Sequence, residues 1–578
     1  MLRKFVPYIK GFRKETILSP LMVILEVALD VMIPMLMARI VNIGIANGDL
    51  NYIAKMGFSM IGMALVSLMF GALSAKYSST AAAGFAKNLR ASLFNNVQDF
   101  SFSNIDHFNT ASLVTRLTTD VTNAQNTFMM LIRMAVRAPV MLICTISMAY
   151  SINSELVTVF LFAAPILAIT IFIVMRLTYP RFQQMLKEYD NMNGVVQENL
   201  IGMRVVKAFV REKFEIEKFN KTAGRVQQTM FKAEKLAVCI MPIMQLVMYG
   251  CIMAILWFGG GKIIEGQMQT GDLMQFITYT TQILMSLMML AMVFLMTVLS
   301  RASLTRILEV LEEKPAITAP EENAITTVKD GSVSFCDVVF RYKEGSEEAT
   351  LKNINLNINS GESVGIIGAT GSAKTTLVQM IPRLYEAQSG SVLVGGVDVR
   401  KYELAALRNS VAMVLQSNVL FSGTIRDNLK WGDKDATDIE IAQACRIAQA
   451  HEFIMSFPNG YDTDLGQGGV NLSGGQKQRL CIARALLKKP KIMIMDDSTS
   501  AVDTATDSKI RDGLKHSLSD MTTIIIAQRI SSVMDADKII IMDEGGIAAV
   551  GTHDELVKDN EIYRDVYFSQ QKGVEENA

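Results

Sequence analysis

The sequence predicts two architectures in one chain: an α-helical transmembrane domain of six spans, then an α/β domain built around a glycine-rich loop. Three observations carry this. Half of the 578 residues are hydrophobic and only 19% are charged, and the mean hydropathy is +0.27, a balance that places part of the chain in lipid. The apolar signal is confined to about the first three hundred residues. Beyond them, short β-branched runs alternate with helical stretches, and one run ends in a glycine-rich loop.

Uncharged runs occupy 56–75, 138–154, 156–175, 236–261 and 273–300, most of them long enough to cross a hydrocarbon core as helices. A weaker candidate at 16–42 is interrupted by Glu26, Asp30 and Arg39. The six spans are placed at 16–42, 52–76, 126–151, 155–177, 238–262 and 272–300, the third including Arg133 and Arg137. Basic residues set the orientation. Arg3, Lys4, Lys10, Arg13 and Lys14 precede the first span, Lys87, Arg90 and Arg116 follow the second, and the connection after the fourth is rich in Lys and Arg. The segments 43–51 and 151–154 carry no base. Both termini are therefore expected in the cytoplasm. The first fifteen residues lack the compact apolar core and cleavage site of a signal peptide.

The outer loops are a handful of residues, whereas both inner connections run to about fifty and lack Pro and Gly clusters. They read as long helices that project into the cytoplasm and turn back. Two such hairpins give a soluble domain something to push on.

Composition also excludes classes. Lys and Arg number 56 against 56 Asp and Glu, so bulk electrostatics do not favour nucleic acid. The six cysteines are scattered, which removes a disulfide framework and a cysteine zinc site. The 38 methionines fit adaptable packing among helices and against lipid. Residues 313–330 are polar with two prolines and read as a linker. The expected domains are thus 1–312 in the membrane, the linker 313–330, and 331–578 as the α/β domain.

The strand-like run Ser363–Ile367 leads into Gly368-Ala369-Thr370-Gly371-Ser372-Ala373-Lys374-Thr375-Thr376. This is a Walker A loop with a strand before it and a helix after it. Backbone N–H groups wrap the phosphates, the helix N-terminus adds its positive end, Lys374 reaches the terminal phosphates and Thr375 ligates Mg2+. Ala373 stands where glycine is usual, and its methyl group crowds a backbone that must approach phosphate closely. At 492–497, Ile-Met-Ile-Met-Asp-Asp has the Walker B form, with Asp496 ending a hydrophobic strand near the Mg2+.

Between the two lies Leu472-Ser473-Gly474-Gly475-Gln476-Lys477-Gln478-Arg479, and LSGGQ is the signature of ATP-binding cassette proteins. Six spans before one cassette resemble a half-transporter of the exporter type, and the resemblance extends over essentially the whole chain. It implies an exporter-type transmembrane domain followed by an α/β P-loop nucleotide-binding domain with a helical subdomain, using ATP and Mg2+. It further implies that Tyr342 stacks on adenine, that Gln416 is the Q-loop residue linking Mg2+ to the membrane domain, and that Ser500-Ala501-Val502-Asp503 is the D-loop. Asp106 to Asp120 resembles the first coupling segment and Glu198 to Phe209 the second inner loop. Two cassettes would sandwich two ATPs, each held by one Walker A and by the other chain's signature residues, here Ser473, Gly474, Gly475 and Gln476.

The departures from that pattern are informative. The residue after the Walker B aspartate is Glu in active members, the base that polarises water. Here it is Asp497, of similar intrinsic pKa but shorter reach; a misplacement of about 1 Å can cost on the order of 100-fold in rate. The histidine expected after Ala527 is Gln528, which can hydrogen-bond a γ-phosphate but cannot become cationic. The loop before the signature lacks its usual Glu and reads Leu465-Gly466-Gln467-Gly468. Three changes around one γ-phosphate beside an intact signature resemble the degenerate half of a bacterial heterodimeric multidrug exporter. The implied partner is a second, non-identical half-transporter with Glu at its own Walker B. The implied cargo is amphipathic compounds, the location a bacterial plasma membrane. A lipid or peptide exporter of the same architecture, or a low-turnover homodimer or ATP sensor, remains an alternative.

Glu26 and Asp30 are four apart on span one, and Arg133 and Arg137 four apart on span three, so each pair shares a helix face. One-to-one pairs Glu26–Arg133 and Asp30–Arg137 are expected, or else a place for these charges on the substrate pathway. Phe276, Tyr279, Met285, Met288 and Met289 on span six suit plastic apolar binding or plain packing.

Overall fold

The computed structural model describes residues 2–320, 322–342, 348–497, 502–517 and 520–575. The chain forms two compact units: 1–98 with 110–312, and 99–109 with 313–578.

The first unit holds six helices long and apolar enough to cross a membrane: Arg13–Ile45, Leu50–Asp99, Thr110–Ile152, Thr158–Ile201, Glu212–Ile264 and Thr270–Glu312. Five of them contain an expected span whole; the fourth helix starts at Thr158, three residues inside the expected 155–177. The two long connections are largely helical continuations of the spans, as the scarcity of breakers in them dictates. The helices here are α1 (Arg13–Arg39), α2 (Leu50–Asp99), α3 (Phe102–His107), α4 (Thr110–Thr115), α5 (Val121–Ile152), α6 (Thr158–Ile201), α7 (Met203–Ala208), α8 (Glu212–Val238), α9 (Ile240–Ile264) and α10 (Thr270–Glu312). Of these, α3 belongs to the second unit.

Helix α1 buries Ser19, Val23, Val27 and Val31, a stripe with a four-residue repeat. On α10, Phe276 and Tyr279 are fully buried. Phe276 stacks on Phe160 with centroids 5.6 Å apart, and the Tyr279 hydroxyl donates to the Val31 carbonyl at 2.8 Å while accepting from Gln275. Those two aromatics are core groups that lock α10 to α1 and α6. Met285 on the same helix is exposed.

The intramembrane charges do not pair one to one. Arg137 alone spans both acids: it donates to Glu26 Oε1 and, at 2.9 Å, to Asp30 Oδ2. Ser67 of α2 donates to Asp30 Oδ1 at 2.6 Å. Gly71 leaves room for Glu26, since a Cβ there would stand 3.0 Å from Oε1. The Arg133 side chain has no ionic or hydrogen-bonded partner among the described residues. A guanidinium has five N–H donors in a fixed fork, so one Arg placed between acids four residues apart reaches both, although Glu26 Oε2 stays buried without a hydrogen-bond partner, and the expected Glu26–Arg133 pair does not form.

In the second unit β1 (Val333–Phe340), β2 (Leu351–Ile358), β4 (Ser389–Val394) and β5 (Val397–Asp398) make an antiparallel sheet in the order β2-β1-β4-β5. A six-stranded sheet runs β12-β11-β3-β10-β9-β6. It comprises β3 (Ser363–Gly368), β6 (Val411–Val414), β9 (Ile492–Asp496), β10 (Thr522–Ile526), β11 (Lys538–Asp543) and β12 (Gly546–Gly551), and is parallel except for β12. Its central strands are buried, which is why they read as unbroken apolar runs. Two short strands, β7 (Gly423–Thr424) and β8 (Asp464–Leu465), pair separately. The helices of this unit are α11 (Lys374–Gln379), α12 (Leu404–Ser410), α13 (Ile425–Leu429), α14 (Asp438–Ile447), α15 (His451–Met455), α16 (Gly474–Leu487), α17 (Thr504–Ser517), α18 (His553–Asp559) and α19 (Glu561–Glu575). Of these, α13 and α14 pack on α16, and α14 on α15.

Among its described residues the 313–330 stretch has little regular structure but is not slack. Ile317 and Val328 are buried, and Ile325 exchanges backbone hydrogen bonds with the 401–403 segment.

Candidate nucleotide site

Strand β3 enters the sheet between β10 and β11 and delivers the Walker A loop to its carboxyl edge, where ligands of open α/β sheets bind. Gly368 turns the strand where a Cβ would lie 2.2 Å from the Met542 carbonyl oxygen. Gly371 has φ +91°. Ala373, directly before α11, has φ +68° and ψ 22°. That is the left-handed region, where an L-residue with a Cβ is strained by roughly 1–2 kcal/mol. Ala373 is therefore a backbone departure as well as a methyl group near phosphate.

Thr370 and Gly371 are exposed on the loop crest, while Ser372 and Thr376 are buried beneath it. Lys374 folds its ammonium back onto the loop, donating to the Gly368 and Ala369 carbonyls at 2.7 and 2.8 Å. Burial pushes its pKa down, with Asp496 and Asp497 pulling the other way. Thr375 donates from Oγ1 to Asp496 Oδ1 at 3.1 Å. Tyr342 is half-exposed, and its hydroxyl lies 2.9 Å from Thr376 Oγ1. Its ring meets Tyr385 edge-on at 5.2 Å, and the Tyr385 hydroxyl donates to Asp106 Oδ2 at 2.5 Å.

Asp496 ends β9 almost fully buried. Asp497 follows at φ +47°, its amide donating to the Ile526 carbonyl at 2.9 Å. Gln528 Nε2 donates to Asp497 Oδ2 at 2.9 Å, and the Gln416 side chain hydrogen-bonds the same carboxylate. Burial raises the pKa of both aspartates, and the Lys374 charge opposes the rise.

These groups share one cleft of about 630 Å3, lined by Tyr342, Lys374, Thr375, Gln416, Asp497 and Gln528 among others. Its lining also includes Ile562, Tyr563 and Val566 of α19. Those three were not predicted as site residues, because nothing in an isolated amphipathic helix tells which surface it covers. Among the described residues no cluster of three or more His, Cys, Asp or Glu could hold a metal ion. The Thr375 hydroxyl, the Asp496 carboxylate and the Gln416 amide are hard oxygen donors, few in number. They suit Mg2+ that takes its remaining ligands from phosphate and water.

The signature residues lie outside this cleft. Ser473 caps α16, accepting from the Gln476 amide at 3.3 Å while its own amide donates to Gln476 Oε1 at 2.9 Å. Gly474 and Gly475 form the first turn behind it. Lys477 donates to the Gly468 carbonyl at 2.8 Å, tying the preceding loop to this helix end. Asp503 Oδ1 accepts from the Thr506 amide at 2.9 Å, at the start of α17. Ser500 and Ala501 of the expected D-loop lie outside the described residues.

Comparison with known proteins agrees with this geometry. The pattern of the ABC transporter transmembrane region matches residues 16–302, and that of the ABC transporter family matches 351–500. The chain is 38% identical to the uncharacterized ABC transporter ATP-binding protein YfiB of Bacillus subtilis (strain 168), across 98% of each chain. It is 31% identical, over 99% of each, to YgaD of the same organism, whose name provisionally gives a multidrug export ATP-binding/permease protein. With the ATP-dependent lipid A-core flippase of Desulfotalea psychrophila it shares 32% over 84% of each chain. A solved bacterial Atm1-family ABC exporter with ATP bound has the same fold, with a TM-score of 0.84 at 24% identity over 97% of this chain and 98% of that one. With six membrane-crossing helices, one ATP-binding cassette and full-length relatives of the same plan, the chain belongs to the ABC transporters: it is a multi-pass exporter half-transporter whose ATPase is coupled to transport.

Proposed function

We propose that this chain is the degenerate-site half of a heterodimeric exporter that moves amphipathic compounds out of a bacterial cell, with both termini cytoplasmic. The observation that carries the reading is the Gln528–Asp497 hydrogen bond. The two residues that depart from the active pattern at the γ-phosphate end touch each other. The amide engages a carboxylate that is one methylene short, and an uncharged glutamine has no proton to gain or lose in the working pH range. A water-activating base is thereby held by a neutral donor, which suits a site that retains ATP rather than turning it over. Ala373 adds a strained loop position on the same side.

In this reading ATP closes the cassette pair because it binds the closed arrangement better than the open one, and that preference drives the membrane domain outward. Mg2+ would be held by Thr375, Asp496 and Gln416. Hydrolysis at the other site, composed of the partner's Walker motifs and this chain's Ser473 to Gln476, resets the cycle. The names of YgaD and of the lipid A-core flippase span drug-like and lipid cargo; amphipathic character is common to both. Lipid export is the second reading.

The experiment is reconstitution into lipid vesicles of this chain alone and of this chain with its co-purified half. A pump shows ATPase stimulated by amphipathic cargo only when both halves are present. Equal stimulated turnover from this chain alone would overturn the proposal.

A further inference from the structure

Helix α19 does more than wall the cleft. Gln570 on that helix grips the loop that carries Gln528 from both sides. Its Nε2 donates to the Gln528 carbonyl at 2.9 Å, and its Oε1 accepts from the Ile530 amide at 2.9 Å. A side-chain amide has one acceptor oxygen and one NH2, and here each meets a backbone group on either side of Arg529. The same loop sends the Gln528 side chain to Asp497 at 2.9 Å. The helix is itself held in phase. Tyr563 is fully buried, with its hydroxyl 2.8 Å from His553 Nδ1 of α18. Tyr563 and Gln570 are seven residues apart, about two turns, so they share a helix face.

We infer that Gln570 is a positioning residue for the γ-phosphate end of the nucleotide site: the C-terminal helix, through its paired hydrogen bonds to Gln528 and Ile530, fixes the loop that aims Gln528 at the phosphate and at Asp497. The chemistry argues for position rather than bulk packing. Gln528 and Arg529 are exposed, and an exposed loop left to itself opens at little free-energy cost. Gln570 converts two backbone groups of that loop into fixed points. The inference rests on Gln528 being the γ-phosphate contact, and it holds whether the partner is a second copy or a different half.

The test uses the full-length transporter as purified from its membrane, with its partner half in place. Gln570→Met keeps the length and apolar body of the side chain but removes both hydrogen bonds. Gln570→Glu keeps the acceptor for Ile530 and loses the donor to Gln528. Two readouts are taken: amide hydrogen exchange in 526–533, and photolabelling of this chain by 8-azido-ATP in competition with MgATP or MgADP. Gln570→Met is expected to speed exchange in that segment and to lower the preference for MgATP over MgADP by about two- to tenfold, the worth of one ordinary hydrogen bond. Gln570→Glu is expected to lower the same preference, because its carboxylate repels the Gln528 carbonyl. Unchanged exchange in Gln570→Met, or faster exchange with an unchanged preference, would overturn the inference. Gln528→Ala separates the two possible failures. If it lowers the preference while Gln570→Met does not, only the role of Gln570 falls. If Gln528→Ala also leaves the preference intact, Gln528 is not the γ-phosphate contact and both fall together.

Discussion

Gln528 Nε2 stands 2.9 Å from Asp497 Oδ2, so the two substituted positions of the reaction centre form a single hydrogen-bonded unit. Replacing one without the other leaves the unit mismatched. Asp497→Glu alone should raise single-turnover hydrolysis of ATP held on this chain by up to about 100-fold, the scale attached to a 1 Å placement error. Asp497→Glu with Gln528→His should exceed it. Chemical quench of preloaded transporter measures this; no change in either variant would mean that carboxylate reach is not what limits the site.

Ala373 sits at φ +68°. Ala373→Gly removes a left-handed penalty of about 1–2 kcal/mol and gives back about 0.4–1 kcal/mol in unfolded-chain entropy. The fold should therefore gain modestly, by about 0.5 kcal/mol, and MgATP affinity should rise with it. Thermal unfolding with and without nucleotide reads both quantities.

Arg137 holds Glu26 and Asp30 together, and Arg133 holds neither. Arg137→Ala leaves two carboxylates uncompensated among the spans and should cost about 3–5 kcal/mol, the scale of a broken buried pair. Arg133→Ala should stay within about 0.5 kcal/mol. Adding Glu26→Gln and Asp30→Asn to Arg137→Ala should restore most of the loss. Thermal unfolding in detergent ranks the variants, and equal loss from the two arginines would contradict the shared clamp.

Burial raises the Asp496 pKa above its ordinary value. A carboxyl whose folded pKa is raised favours the protonated form in the fold, so its contribution to stability is present at low pH and is lost as pH rises through the folded pKa. Asp496→Asn should therefore stabilise the nucleotide-free protein at neutral pH, while abolishing Mg2+-dependent ATP retention. In the unaltered chain, Mg2+ needs the ionised carboxylate. Mg2+-dependent binding should fail on acidification at a higher pH than an ordinary aspartate would set, measured by nucleotide retention between pH 4 and 8.

Much of this was legible in the sequence because the signals were local. Uncharged runs located the spans, and the contiguous loop from Gly368 to Thr376 located the phosphate cradle, with the β9 carboxylate and Gln416 returned to the same cleft by the sheet. Asp497 and Gln528 were singled out as departures, but not as partners, because the strand β10 that brings them together leaves no trace in their spacing. Arg137 took both acids because its fork reaches two carboxylates, a matter of rotamer and helix crossing rather than of four-residue periodicity. Phe276 and Tyr279 could be read as lining or as core, since an aromatic on a span looks the same until its neighbours are known. The left-handed φ at Ala373 was masked by its side chain, and Gln570 lay beyond any local motif.

The central claim, that this chain works as one half of an unequal pair, is tested most directly by tagging it in its native membrane, purifying it gently and determining by mass what accompanies it. The account predicts a second, distinct half-transporter in equal amount, with Glu after its Walker B aspartate. Recovery of this chain only with copies of itself would place Asp497 and Gln528 in both sites and contradict the account.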